Sequence, residues 1–169
     1  MTAVAASALV GCGGESGASG PVPKRLVSGP GFSFAAPEGL ELARTPRSVT
    51  VLPADERSQE LASVTIFRLV KPYRPALWPK ASRELDKVAR ELVDSLGGEF
   101  AEEPETVRVG GLRGRRYEIE YEREEKKLRQ RLTLLLSRRT EFQLLCRWEA
   151  NNDLPQACVN LEASFKVSL

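Results

Sequence analysis

Apolar residues recur at every second position in several stretches of this chain and at helical spacing in two others. In residues 142–148, Phe142, Leu144, Cys146 and Trp148 alternate with Gln143, Leu145 and Arg147, the signature of a strand with one buried face. Val64 and Ile66 likewise face one way and Phe67 and Leu69 the other. Leu132, Leu134 and Leu136 align, and Tyr117, Ile119 and Tyr121 alternate with Arg116, Glu118, Glu120 and Glu122. Shorter runs carry Phe32 and Phe34, Leu40 and Leu42, residues 49–52 and residues 105–109. Between them lie turn signals: Ala36-Pro37-Glu38-Gly39, Gly110-Gly111, the charged run 122–127 and Arg138-Arg139-Thr140. Consecutive strands joined by such turns form an antiparallel meander.

The main helix is expected over about residues 79–96, where Ala81, Leu85, Val88, Ala89, Leu92, Val93 and Leu96 make one stripe and Gly97-Gly98 stops it. Glu84, Lys87 and Glu91 lie outside the stripe and pair along the surface for a few tenths of a kcal/mol each, about 0.2–0.5. Asn151-Asn152-Asp153 breaks the strand that ends near Trp148; Asp153 is a candidate N-cap, Gln156 completes a capping box, and Pro155 sits in the first turn. Leu154, Ala157, Cys158 and Leu161 mark that second helix's apolar face, and a final strand covers residues 164–167. The expected fold class is α+β: an antiparallel sheet of about six strands flanked by helices.

Cys146 and Cys158 therefore point into one interior, one from the sheet and one from a helix lying over it, and a disulfide between them is expected. It would stabilise the domain by about 3 kcal/mol through restriction of the unfolded chain. The redox-active alternative asks for Cys-x-x-Cys spacing, which this pair lacks.

The third cysteine has a different context. Residues 4–10 are small or apolar, and Leu9-Val10-Gly11-Cys12 resembles a bacterial lipobox, in which the cysteine receives a lipid and becomes the first residue of the mature protein. No Lys or Arg precedes the run, and it is short for a signal sequence, so the expectation is a truncated lipoprotein signal at 1–11, with the true start further upstream. Residues 12–30, rich in Gly and Ser at first, read as a flexible tether; about 18 such residues span roughly 20–25 Å. Residues 31–169 are the globular domain. Cys12 is the expected lipidation site, which places the domain on the cell membrane's extracytoplasmic face, where a disulfide persists.

Composition narrows the chemistry further. The chain has 169 residues, 41% apolar and 28% charged, with a net charge of +2 that makes no case for nucleic acid. It has no histidine, which removes Ser-His-Asp triads, Cys-His pairs and HExxH zinc sites. No calcium-loop spacing is present, and neither cofactor nor metal is expected. Glu118, Glu120 and Glu122 share a strand face, with Glu102, Glu103 and Glu105 near in sequence; paired-carboxylate hydrolysis is one reading and a solvated face the other. Basic residues gather over 108–139, among them Arg108, Arg113, Arg115, Arg116, Arg129, Arg131 and Arg138, with five glutamates interleaved. Such an excess suits anionic headgroups or cell-wall polymers, the alternative being a solvated sheet face. Tyr73, Trp78, Arg115 and Arg116 are the candidate partner contacts, Trp78 because it stands between prolines just ahead of the main helix.

The opening Phe32-Ser33-Phe34-Ala35-Ala36-Pro37-Glu38-Gly39 resembles the F-x-I-x-x-P-x-G start of the Mog1/PsbP-like superfamily. The strand–helix–meander order and the closing strand, short helix and Ser164-Phe165 resemble it too, over about residues 31–169. The resemblance implies an α/β/α sandwich and, through its LpqN-like lipoprotein branch, a binding or assembly protein of the bacterial envelope. No shared catalytic site comes with it, so no functional residue is carried over. The expected function is a lipid-anchored, non-enzymatic module for an unidentified protein or envelope partner; the alternative is an enzyme using carboxylates at an unrecognised site.

Overall fold

The computed structural model of the chain describes residues 23–168. Its order is β1 Lys24–Gly29, β2 Phe32–Pro37, β3 Glu41–Arg44, β4 Ser48–Leu52, β5 Leu61–Arg68, α1 Trp78–Leu96, β6 Glu99–Phe100, β7 Glu105–Val109, β8 Leu112–Arg123, β9 Lys126–Leu136, β10 Thr140–Glu149, α2 Gln156–Ser164 and β11 Lys166–Val167. The class is α+β, and the main sheet has eight strands rather than six: β3-β4-β5-β10-β9-β8-β6, with β7 also on β8. A separate three-stranded sheet, β1-β2-β11, lies apart from it in hydrogen bonding. All the ladders are antiparallel.

Register explains the layers. Opposite residues in an antiparallel pair share a face. The rows Val49–Val64–Leu144 and Val51–Ala62–Cys146 therefore point one way, and they meet Phe32, Phe34, Leu161 and Phe165 from β2 and α2 in one core. The row Tyr117–Leu132 points the other way and meets Trp78, Leu85, Ala89 and Val93 of α1 in a second core. β9 contributes to both: Leu132, Leu134 and Leu136 lie under α1, while Leu135 lies in the core beneath α2. A strand buried on both faces marks the centre of a three-layer stack.

Local chemistry sets the ends of α1. Two prolines frame its start, and Gly97 ends it in the left-handed region at φ 63°, its N–H and that of Gly98 returning to Asp94 and Val93. Gly98 lets the chain turn against β8, since a Cβ there would lie 2.4 Å from the Glu120 carbonyl oxygen. The stripe is narrower than expected, with Val88 45% exposed, and Lys87–Glu91 forms the one pair of the two anticipated, at 3.8 Å.

Three boundaries differ from the sequence reading. Residues 24–29, assigned there to the tether, form β1, because Val27 fills the core beside Phe34 of β2. Asp153 does not cap α2; the helix starts at Gln156 after Pro155, and the Gln156 amide donates to Asn160 instead. The β8–β9 tip is only two residues, Glu124 and Glu125, both at positive φ.

A candidate anion-binding groove at Tyr73

The loop between β5 and α1 carries two prolines and cannot extend the sheet. It is fastened instead to the β9–β10 turn, Leu69 N–H donating to the Arg139 carbonyl at 2.9 Å and Tyr73 N–H to the Arg138 carbonyl at 2.8 Å. The turn end of the β7–β8 hairpin lies alongside, and between these three pieces runs an open groove of about 500 Å³. Tyr73, Arg74, Arg108, Arg113, Ser137 and Arg138 line it, and no carboxylate does.

None of the four arginines has an ion-pair partner among the described residues. Arg108 and Arg113 are direct cross-strand neighbours on β7 and β8. Like charges placed so are destabilising, and a cleft lined by one sign of charge focuses its field outward into solvent. Arg113 is additionally fixed by stacking over the Trp78 ring, 4.3 Å from its centroid. The guanidinium fork is suited to bidentate contact with phosphate or carboxylate oxygens.

Most of the remaining basic residues of that part of the chain are engaged within the fold. Arg115 Nε donates to Asp86 of α1 at 2.9 Å, where Tyr117 also donates through its hydroxyl at 2.8 Å. Arg116 binds Glu105 at 2.7 Å and Glu162 of α2 at 3.2 Å, and Arg131 joins Glu118 to the same Glu162. Arg129 and Lys127 share Glu120. Burial pushes the Glu118 carboxyl up, with Arg131 opposing, whereas hydrogen bonds from Lys127 and Arg129 hold Glu120 down. Burial and then Asp86 push the Tyr117 hydroxyl well up.

Of the four candidate contacts read from the sequence, the structure puts only Tyr73 on this groove. Trp78 is corrected: at 7% exposed it belongs to the core under α1, because the helix begins there and turns the ring inward with Leu85 and Tyr117. Arg115 and Arg116 lie off this groove, held by Asp86, Glu105 and Glu162. Cys146 and Cys158 are bonded, with Cα atoms 5.8 Å apart. Cys12, with the signal and most of the tether, lies outside the described residues. Arg74 escaped the sequence reading; its only signal was a cation next to an aromatic residue in a prolyl loop. Of the carboxylates proposed for an enzyme, Glu105, Glu118 and Glu120 are paired with arginines; Glu102, Glu103 and Glu122 are not, among the described residues, and Glu122 lines an open groove with Glu99 and Glu120. Among the described residues there is no group of acids, His or Cys arranged for a metal, and no helix long and apolar enough to cross a membrane.

No family model matches the chain, and no curated protein matches it. Several solved structures share its architecture, among them two that cover most of this chain. A protein of Bacteroides thetaiotaomicron superposes with a TM-score of 0.57 at 12% identity over 86% of this chain; the chain spans 48% of that protein's length. LpqN of Mycobacterium tuberculosis, described as involved in cell envelope biogenesis, superposes with a TM-score of 0.56 at 15% identity over 87% of this chain and 91% of its own. At these identities it is the fold that is shared, and that fold is LpqN-like.

Proposed function

We propose that this protein is a membrane-anchored extracytoplasmic lipoprotein acting as a non-enzymatic binding or assembly module for a protein or envelope component. The observation that carries the reading is the groove at Tyr73, where four arginines without carboxylate partners line one concavity. A site of that kind recognises an anion, and no carboxylate, histidine or cysteine lines it to serve as a general base. Three of the six carboxylates that an enzyme would use, Glu105, Glu118 and Glu120, stand in ion pairs with arginine and lysine instead. The envelope role described for LpqN supports a setting outside the cytoplasm. So does the Leu9-Val10-Gly11-Cys12 order, followed by a Gly/Ser-rich segment.

Two measurements on cells test it. Metabolic palmitate labelling is expected in the wild type and lost in Cys12→Ala; unchanged labelling, or none in either, overturns the anchor. A photoreactive phenylalanine analogue at position 73 is expected to crosslink one discrete envelope component in native membranes. Crosslinking only at random surface positions, equally from position 73 and from the opposite edge at position 43, overturns the groove as the binding site.

A further inference from the structure

We infer that the groove at Tyr73 takes an anionic amphiphile, with its phosphate or carboxylate head on the arginines and its hydrocarbon chain in the apolar groove next door. This rests on the binding reading above and names its ligand class. The second groove, about 360 Å³, shares Tyr73 and Leu136 with the first. Leu69, Leu77, Ala81 and Leu85 line it, and Leu77 is 48% exposed at its mouth. Its charged rim, Lys71 and Lys80 against Glu84 and Glu141, sums to zero, so it selects for apolarity rather than sign. The arginine groove has the opposite character, positive throughout.

The two grooves meet at Tyr73, whose apolar ring and polar tip suit such a junction. Together they match the usual composition of a small-molecule site: an apolar wall with a few convergent polar groups. A free inorganic anion would use the arginines and leave the apolar wall wet. A neutral amphiphile would use the wall and leave Arg108 and Arg113 facing each other uncompensated. Only a molecule with both parts answers both observations.

The test uses the full chain and three probes: dodecyl phosphate below its micelle concentration, dodecyl maltoside, and inorganic phosphate. Binding is followed by calorimetry and by tryptophan emission, Trp78 lying directly beneath Arg113. Dodecyl phosphate is expected to bind saturably and to change the emission, with each of the other two weaker by about ten-fold or more. Arg74→Glu with Arg138→Glu, both exposed positions, is expected to weaken dodecyl phosphate by about ten-fold or more while thermal unfolding is unchanged. Leu77→Asp is expected to weaken dodecyl phosphate and leave inorganic phosphate as it was. Equal affinity for dodecyl maltoside, equal affinity for inorganic phosphate, or no binding of any probe each overturns the inference. The crosslink from position 73 assumes no ligand class, so a discrete crosslinked partner together with silent probes would sink this inference and leave the binding reading standing.

Discussion

The guanidinium carbon of Arg113 lies 4.3 Å from the centre of the Trp78 ring, so the groove's central cation and the first turn of α1 form one packing unit. The indole lies under Arg113 and does not itself line the groove. It is also part of the core with Leu85, Tyr117 and Leu136. Trp78→Ala is therefore expected to destabilise the protein by about 3–5 kcal/mol in urea unfolding, as for other large-to-small core changes. Trp78→Phe should cost less and weaken anion binding through a weaker cation–π stack under Arg113. A cost near zero for the alanine variant would mean that the ring is not buried.

Asp86 joins α1 to the sheet by accepting from both Tyr117 and Arg115. Asp86→Asn should lower stability by about 1–3 kcal/mol, the cost of a weakened charged acceptor for two part-buried donors. Burial first and Asp86 second raise the Tyr117 pKa above 10.0. The folded state therefore holds its proton more tightly than the unfolded chain does, and stability falls as pH rises past the ordinary tyrosine value. That alkaline decline should be shallower in the variant, with tyrosinate absorbance appearing at lower pH. An unchanged tyrosinate titration would show that Asp86 does not act on Tyr117.

The Cys146–Cys158 bond ties β10 to α2 across a sequence separation of 12. Replacing both cysteines by alanine should lower unfolding free energy by about 2–4 kcal/mol. The oxidised wild type in the presence of reductant should fall to the same midpoint as the variant. No difference between oxidised and reduced protein would refute a stabilising role for the bond.

Glu118 and Glu120, two apart on β8, should respond oppositely to acid. Glu120 is held below 4.5 by Lys127 and Arg129, so its contribution to stability is present above that value and is lost as pH falls through its folded pKa. Glu118 is raised above 4.5, chiefly by burial. Its ionised form is the disfavoured one in the fold, so stability gained from it is present in acid and lost as pH rises. Glu120→Gln should flatten the acid decline of the unfolding midpoint, and Glu118→Gln should steepen it. Identical slopes in the two variants would contradict the opposed shifts.

Much of the architecture was legible in the chain. The period-two runs through Tyr117, Leu132 and Phe142 became β8, β9 and β10, and Gly110-Gly111 and Gly97 sit where a hairpin and a helix end require positive φ. Cys146 and Cys158 met because alternation in a strand and spacing in a helix each fix one direction. The strand of residues 24–29 was obscured by the glycine- and serine-rich segment ahead of it, and only pairing with β2 buries Val27.

Local pattern determined which residues are strand, helix or turn here, because each side chain's direction follows from its neighbours along the backbone. It equally determined that basic residues outnumber acidic ones over residues 108–139. What only the tertiary structure decided is which of them are free. Arg115, Arg116, Arg129 and Arg131 find carboxylates brought by α1, α2 and β8, while Arg74, Arg108, Arg113 and Arg138 come together from three separate segments with none. Charge pairing depends on distance in space, and separation along the chain carries no information about it.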